Sequence, residues 1–546
     1  MDKKKRYMPL LMALCTVLGI LIGTFYANHF SGNRLNIINT ESNRLNNLLH
    51  IIDDQYVDTI DVNELVEKAI PQILSELDPH STYISAKDVA LMNDDLKGSF
   101  SGVGIEFTIR EDTIHVQNVI ADGPAERAGV VAGDKIVSIN GKPFVGQVCT
   151  NEEAMHRLKG EKGTKVTIGI LSYGNTKVKE ITITRDDIRT KSITAAYMLD
   201  DTTGYIRVKN FGENTYAELL VALATLSQGN LQNLVIDLRD NVGGYLQSAV
   251  QMANEFLPAK RLITYTQGRK SPRQDYRSDG RGAYQHIPLC VLINAGSASA
   301  SEIFAGAIQD NDRGMIIGRR SFGKGLVQQQ IAFPDGSMIR LTVARYYTPS
   351  GRCIQKPYTM GSSDSYEKDL VDRYEHGEYF SEDSIKHDGP AYKTTIGRMV
   401  YGGGGITPDY FIAEDTTNMT SYYKKASMTG LILQFAYTYT DDNRAKLNTY
   451  KEMMELADYL VKQNTVEKFA DFADNHGLKR RNLMIQKSHY LLERYINSRI
   501  IYNMLDDQAW NQYINQDDDC IKKALEIFKA NAAFPKLEPA TAPKKK

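Results

Sequence analysis

The chain has 546 residues, which at about 100–200 residues per domain predicts several folded units and excludes a single hydrophobic core. Its 65 Lys and Arg residues balance 66 Asp and Glu residues, and the net charge of −1 gives no overall field that would attract nucleic acid. The 42% hydrophobic and 24% charged residues are typical of globular domains, and five widely separated cysteines without a C-x-x-C pair argue against a disulfide scaffold or a zinc knuckle.

An uncharged run over residues 8–27 follows four basic residues at positions 3–6. As a helix it would be about 30 Å long, which matches the hydrocarbon thickness of a bilayer. The basic residues predict a cytoplasmic N-terminus. We therefore expect residues 1–28 to be a single-pass anchor in the cell inner membrane, with the later domains on the extracytoplasmic, periplasmic side. A cleaved signal peptide is the alternative.

Residues 29–98 are predicted to be helical, because apolar residues such as Leu45, Leu48 and Leu49 recur at helical spacing. Asp61 and Glu64 resemble a capping box at the start of the second helix. An internal core would bury these apolar stripes, and so would a second copy of the chain. A homodimer through the N-terminal helices is therefore left open.

The pattern of apolar residues and glycines then changes several times along the chain. Residues 99–186 consist of short alternating strands and glycine turns, and residues 187–412 alternate strands with helices. Within the latter, residues 358–392 form an acidic, tyrosine-bearing stretch without clear periodicity, interpreted as an insertion or lid. Residues 413–534 are poor in glycine and predicted to be a helical domain, and residues 535–546 a disordered tail.

The β-rich module contains four glycine-bearing blocks in order: S-F-S-G-V-G-I-E-F at 99–107, G-P-A-E-R-A-G-V at 123–130, G-D-K-I at 133–136 and I-N-G-K at 139–142. Glycines just before a strand let backbone N–H groups turn inward and hold a carboxylate, while the strand edge pairs with an extended peptide. This order resembles a PDZ domain. The resemblance implies binding of protein C-termini, with the carboxylate held by Gly102, Val103, Gly104 and Ile105.

The segment G-S-A-S-A-S-E at 296–302 follows an apolar strand and leads into an apolar helix. A serine at such a turn lies at the positive end of the helix dipole, where unpaired N–H groups would stabilise an alkoxide. Ser299 and Glu302 also fit S-x-x-E, an ordinary helix capping box. Taken alone, the segment favours the cap.

A second block, F-G-K-G-x-V-Q at 322–328, places Lys324 between two glycines. With D-L-R-D-N-V-G-G at 237–244 and Y-G-G-G-G-I-T-P-D at 401–409, residues 45–412 resemble the C-terminal processing peptidases, or tail-specific proteases. The resemblance implies an α/β multidomain protein with a crotonase- or Clp protease-like core. It adds a PDZ domain inserted in or preceding that core, an N-terminal helical region and a C-terminal all-α extension.

The resemblance also implies a serine endopeptidase with a Ser/Lys dyad and without a metal or other cofactor. Carried over by position, Ser299 is the nucleophile, Lys324 the general base and Gln328 the residue that holds the lysine. A lysine with its usual pKa near 10.4 is protonated at neutral pH, so burial must lower that pKa. The oxyanion is expected at the N–H groups of Ala300 and Gly243.

Two alternatives remain at this stage. The first is a catalytically silent, membrane-anchored PDZ scaffold, in which Ser299 only caps its helix and Lys324 is solvated. The second takes Ser321 and Lys324 as the S-x-x-K motif of penicillin-binding proteins, but that motif needs a helix, which Gly323 and Gly325 oppose.

Overall fold

The computed structural model describes residues 13, 16–19, 42–89, 98–110, 112–120, 122–172, 176–362, 364–387 and 389–536. The chain divides into two compact units, residues 1–76 and 77–546.

The predicted membrane anchor is corrected by this structure. A bilayer span needs about 20 apolar residues in one helix, and no helix within the described ranges has that combination of length and apolarity. Only residues 13 and 16–19 of the apolar run 8–27 fall within those ranges. The single-pass inner-membrane localisation with a periplasmic catalytic part is therefore not supported. Most of the predicted disordered tail, 537–546, lies outside the described residues.

Strands are numbered in chain order: β1 (Thr82–Ile84), β2 (Ser99–Gly102), β3 (Ile105–Arg110), β4 (Thr113–Val119), β5 (Lys135–Ile139), β6 (Lys142–Pro143), β7 (Lys165–Leu171), β8 (Lys179–Thr184), β9 (Asp186–Arg189), β10 (Ile193–Met198), β11 (Thr203–Val208), β12 (Asn233–Asp237), β13 (Leu262–Gln267), β14 (Gln274–Arg277), β15 (Leu289–Ile293), β16 (Met315–Gly318), β17 (Leu326–Ala332), β18 (Met338–Tyr347), β19 (Ala391–Lys393), β20 (Met399–Tyr401) and β21 (Tyr410–Phe411).

Helices are numbered in the same way: α1 (Ser42–Gln55), α2 (Val62–Ser75), α3 (Pro124–Arg127), α4 (Asn151–Leu158), α5 (Thr215–Leu226), α6 (Leu246–Asn254), α7 (Ala300–Asp310), α8 (Asp364–Glu375), α9 (Ser421–Met428), α10 (Leu431–Leu447), α11 (Met453–Val461), α12 (Thr465–Asn475), α13 (Asn482–Lys487), α14 (His489–Met504), α15 (Asp507–Asn515) and α16 (Asp519–Lys529).

The first unit contains the helices α1 and α2. Asp61 caps α2 by accepting a hydrogen bond from the Asn63 N–H at 2.8 Å, which satisfies one of the free N–H groups of the first turn. Leu45 and Leu48 on α1 stay about half exposed. The homodimer through these helices stays a prediction.

The β-rich module is built on a six-stranded antiparallel sheet of order β3-β4-β5-β7-β8, with β6 paired to β5. Its core contains Val103, Ile114 and Ile168, together with Ala154 and Leu158 of α4. Strand β2 pairs separately with β9. Because β3 is the last strand on its side of the sheet, one of its edges pairs with no strand among the described residues and is open to a further strand.

The central sheet of the α/β part has the order β10-β11-β12-β15-β16-β21, and all pairs except β10 with β11 are parallel. One face packs against α5, α6 and α7. The other packs against α16, where Ile521 and Ile527 contact Val235 and Leu292. The last helix of the described residues therefore covers the core sheet, and the carboxyl ends of β12 and β15 point to the candidate site.

A second sheet has the order β1-β18-β13-β14 with β17 on β18. The stretch 358–392 follows it and contains α8 and the first residues of the β19–β20 hairpin. Helices α9 to α15 form their own apolar cluster around Phe435, Leu456, Phe469 and Ile496.

Candidate active site

Ser299 lies where the buried strand β15 turns into α7, whose eleven residues are all buried. Its backbone has φ 57° and ψ −114°, a conformation that costs free energy for any residue except glycine and that clusters at functional turns. The turn is held by Asn241, whose carbonyl accepts from the Ala298 N–H at 3.0 Å and from Ser301 Oγ at 2.8 Å. Ser299 is thus the residue before α7, but in a strained geometry that a simple cap does not need.

Glu302 is fully buried and connects the serine turn with the segment that carries the lysine. Its Oε2 accepts from the N–H groups of Ser299 at 2.9 Å and Lys324 at 2.8 Å. Its Oε1 accepts from the Gly323 N–H at 2.7 Å and from Ser321 Oγ at 2.5 Å. Burial raises the pKa of this carboxyl to about 7, and the hydrogen bonds act in the opposite direction.

Tyr346 makes a second connection between the same two segments. Its hydroxyl shares its single proton between the carbonyl of Ser299, at 3.0 Å, and the carbonyl of Lys324. The structure therefore brings Ser299 and Lys324 together through one shared acceptor and one shared donor. Within the described part of the chain, no hydrogen bond joins Ser299 Oγ to Lys324 Nζ.

Lys324 is half-buried and lies in an extended segment, not in a helix. Burial lowers the pKa of its ammonium group, and the positive charge of Arg340 lowers it further. The carboxylates of Glu302 and Asp78 raise it by smaller amounts. The net direction favours the neutral amine, the form that a general base requires.

Gln328 is the next predicted residue, on β17. Its Nε2 donates to Thr342 Oγ1 at 3.3 Å, and that hydroxyl donates to Asp78 Oδ1 at 3.0 Å. No hydrogen bond joins Gln328 to Lys324 among the described residues. Because the amide nitrogen is used by Thr342, the amide oxygen is the atom left to accept from a lysine.

The turn before β1 was missed by the sequence analysis. Asp78 accepts from the N–H groups of His80 at 2.9 Å and Ser81 at 3.1 Å, so the turn is rigid. Asp78 and His80 both interact electrostatically with Lys324. The Asp-Pro-His-Ser order is a signal for a tight turn, but it does not indicate which part of the chain the turn meets.

The two predicted oxyanion donors lie next to each other. A Cβ on Gly243 would be 2.7 Å from Ser299 Cβ and 3.0 Å from the Ala300 nitrogen, so only glycine fits. The Ala300 N–H begins α7, and no described backbone carbonyl accepts from it. The Gly243 N–H donates to Asn241 Oδ1 at 2.9 Å.

The S-x-x-K alternative does not fit this geometry. The Ser321 hydroxyl is buried, donates to Glu302 and accepts from the Ile406 N–H at 2.6 Å. Residues 319–325 form no helix, so Ser321 does not face Lys324 in the way that motif requires.

The glycine nest of the β-rich module lies between β2 and the free-edged strand β3. Gly104 has φ 80°, which turns the chain into β3 as only glycine does readily. The carbonyls of Val103 and Gly104 accept from Ala125 and Ile120. Their own N–H groups donate to no backbone carbonyl within the described residues, and both residues are buried.

The chain matches three family descriptions. Residues 202–361 match peptidase family S41, residues 92–171 match the PDZ domain, and residues 422–506 match a family of unknown function, DUF8443.

Relatives extend the first two matches. The carboxy-terminal-processing protease of Bartonella bacilliformis is 41% identical over 318 residues, 57% of this chain and 72% of the relative. The carboxyl-terminal-processing protease of Synechocystis sp. is 37% identical over 296 residues, 53% of this chain and 68% of the relative. The solved photosystem II D1 C-terminal processing protease is 30% identical, with a TM-score of 0.33, and covers 58% of this chain and 90% of its own.

The family and sequence matches, with the C-terminal helices of the structure, confirm the predicted fold class of a peptidase core with a PDZ domain and a C-terminal helical region. They do not favour the silent scaffold. The chain belongs to the carboxy-terminal-processing proteases, the PDZ-containing serine proteases of peptidase family S41.

Proposed function

We propose that this protease cleaves protein substrates through an acyl-enzyme, with Ser299 as the nucleophile and Lys324 as the general base. The observation that carries the proposal is the pair of shared contacts: Glu302 accepts from both backbones and Tyr346 donates to both. These contacts support the proposal because they tie the backbones of the two residues to the same two side chains, while burial lowers the pKa of the lysine.

The reaction then follows from ordinary acyl-transfer chemistry. Neutral Lys324 takes the hydroxyl proton as Ser299 Oγ bonds to the scissile carbonyl carbon, and the carbonyl oxygen becomes an oxyanion. The N–H groups of Ala300 and Gly243 stabilise that charge. The Lys324 ammonium gives its proton to the leaving amine, and the ester remains on Ser299. Water, deprotonated by Lys324, attacks the ester, the peptide acid leaves and the serine is restored.

Gln328 holds the lysine in this scheme. Its amide oxygen accepts a hydrogen bond without bringing a negative charge, which would raise the pKa of the lysine and keep it protonated. Thr342 and Asp78 orient the amide from the other side.

The PDZ domain recognises the C-terminal tail of the substrate through Gly102, Val103, Gly104 and Ile105, and the tail extends the free edge of β3. We favour a gate over a simple tether. Gly243 must give up its hydrogen bond to Asn241 before it can bind an oxyanion, and Lys324 must reach Ser299 Oγ. A bound tail can supply the free energy for that rearrangement.

The test is labelling with a serine-reactive fluorophosphonate, combined with peptide cleavage. Ser299→Ala and Lys324→Ala should each reduce kcat by about 10⁴–10⁶ at an unchanged thermal midpoint, and the double variant should be little worse. Lys324→His should also be inactive. Near-normal turnover by folded Ser299→Ala would refute the mechanism. Loss of labelling in Ser321→Ala alone would restore the S-x-x-K alternative.

A further inference from the structure

The loop that carries the proposed base, residues 321–324 (the base loop), is held from two sides by buried charges. On one side the Gly323 and Lys324 N–H groups donate to Glu302. On the other side Arg373 of α8, only 4% exposed, donates to the carbonyls of Ser321 at 2.8 Å and Phe322 at 3.2 Å. The inward N–H groups and the outward carbonyls of one short loop thus have charged partners of opposite sign.

Helix α8 is also tied to the base loop through Lys356, which is 2% exposed. Its Nζ donates to the Tyr366 carbonyl at 2.9 Å and pairs with Asp369 at 3.0 Å. The same ammonium lies over the rings of Phe322 and Tyr366, 4.0 and 4.1 Å from their centroids. Such cation–π contacts are strongest where water is excluded, so the Phe322 side chain is packed by α8.

A third contact connects α8 with the turn beside the lysine. The hydroxyl of Tyr366 is 2.7 Å from His80 Nε2, and Tyr366 is buried. Burial and, to a smaller extent, the Lys324 charge lower the pKa of His80 to about 4, so the imidazole is neutral at neutral pH and can accept from the Tyr366 hydroxyl.

The polar contacts that α8 makes with the base loop and its neighbours come from one helical face, since Tyr366, Asp369 and Arg373 are spaced three and four residues apart. Tyr366 adds edge-to-face ring contacts with Phe322 and Tyr358. The exposed face of the helix carries charged residues such as Glu367 and Lys368. A helix that merely covered an apolar surface would show a row of apolar residues instead.

We propose that helix α8, in the 358–392 insertion, positions the catalytic lysine, with Arg373 and Tyr366 as its positioning residues. The inference rests on the proposed role of Lys324. Arg373 keeps the base loop against Glu302. Tyr366 holds the His80 ring beside the Lys324 ammonium group, and its packing excludes water there. The charged and titratable groups that face Lys324 are Arg340 on β18, Glu302 on α7, and Asp78 and His80 before β1.

The experiment measures the rate of fluorophosphonate acylation against pH in the full chain, because acylation reports the activation of Ser299 without substrate binding. Tyr366→Phe and Arg373→Gln should each lower the high-pH plateau by about 10- to 100-fold, as expected for a displaced catalytic group. For peptide cleavage the loss should appear in kcat and not in KM. Tyr374→Phe and Lys368→Gln are matched controls, because both residues are exposed on the same helix, and they should behave as wild type.

Wild-type plateaus and pH midpoints in folded Tyr366→Phe and Arg373→Gln would overturn the inference. If Arg373→Gln does not fold, Tyr366→Phe decides alone, since it removes a single hydroxyl. Labelling that needs Ser299 but ignores both α8 variants refutes only the role of α8. Labelling that persists in Ser299→Ala refutes the proposed function and the inference with it.

Discussion

At the scale of single residues, Lys324 has to lose its proton before it can act as a base, and its neighbours set the pH at which it does. Burial contributes most to its lowered pKa, followed by the charge of Arg340 on β18. Arg340 does not touch the reacting atoms in the proposed mechanism. Arg340 acts on Lys324 through its positive charge. A substitution can remove that charge without altering the loop that carries the base.

We expect Arg340→Gln to shift the activity profile towards higher pH. Removing a positive charge raises the pKa of Lys324, so a smaller fraction of the lysine is neutral at any pH below the midpoint. The ascending limb of the acylation rate should move up in pH, while the plateau at high pH stays the same. Arg340→Lys retains the charge and should retain the wild-type midpoint. An unmoved limb in Arg340→Gln would show that this charge does not tune the base.

The two proposed catalytic residues could be predicted from sequence because each lies in a short glycine-bearing block. The second role of Glu302 could not be predicted, since S-x-x-E indicates a helix cap and does not show that the same carboxylate also accepts from Gly323 and Lys324. Asp78 is far from Lys324 in the chain, as Tyr366 is from His80, and only tertiary structure brings each pair together.

At the scale of elements, the glycine nest before β3 can be tested with a matched pair of glycines. Gly104→Asp should abolish binding of C-terminal peptides, because the new carboxylate repels the peptide carboxylate and fills the nest. The substitution also strains the fold, since Gly104 has φ 80° and a Cβ there would lie 2.9 Å from Ile188 Cδ1. Fluorescence anisotropy with a labelled peptide, free or amidated at its C-terminus, measures the binding.

Gly129→Asp is the control for that strain. Gly129 has φ 85°, in the same module, but nothing lies within 4 Å of a Cβ placed there. Gly129→Asp should strain the backbone to a similar extent and retain peptide binding. Loss of binding in both variants would mean that strain and not the nest is responsible. If Gly104→Asp slows cleavage of short and long peptides alike, the PDZ domain is a gate, whereas slowing of long substrates alone indicates a tether.

Apolar periodicity predicted the C-terminal helices, because each buries an apolar stripe, as Leu456 and Leu460 do on α11. It did not predict α8, because the two buried residues of that helix are Tyr366 and Arg373 and the half-buried Asp369 and Leu370 lie beside them. A helix that packs through polar side chains has no apolar period to detect. The position of α16 was hidden for a different reason. Its amphipathic pattern is plain, but the pattern does not show that the partner is the central sheet, whose nearest strand, β21, ends more than 100 residues earlier in the chain.

At the scale of the whole molecule, the helices after residue 413 contact both the PDZ domain and the peptidase core. Asp441 of α10 pairs with Arg110 of β3 at 3.0 Å, and Tyr437 hydrogen-bonds to Gln117 of β4. At the other end, Asp518 pairs at 2.6 Å with Arg239, close to the oxyanion turn. The composition shift along the sequence predicts a helical region here, but it does not show that this region touches the other two.

If these helices hold the PDZ domain in a resting position, weakening the contact should release the gate. Asp441→Asn keeps the shape but leaves Arg110, a mostly buried guanidinium, without its carboxylate. For a partly buried pair we expect a loss of about 1 kcal/mol in unfolding free energy. Amide hydrogen exchange in β3 and β4 should become faster, and cleavage of short peptides should rise, because the PDZ domain moves more readily.

Asp458→Asn is the control. It makes the same chemical change at an exposed position of α11 and should alter neither hydrogen exchange nor cleavage. Faster exchange with an unchanged short-peptide rate would show that the contact fixes the PDZ domain without governing the active site. A short-peptide rate that falls would show the opposite arrangement, in which the C-terminal helices hold the PDZ domain in the position that assembles Ser299 and Lys324. Hydrogen exchange shows whether the Asp441–Arg110 pair holds the PDZ domain in place. The cleavage rate shows whether the same pair controls the active site.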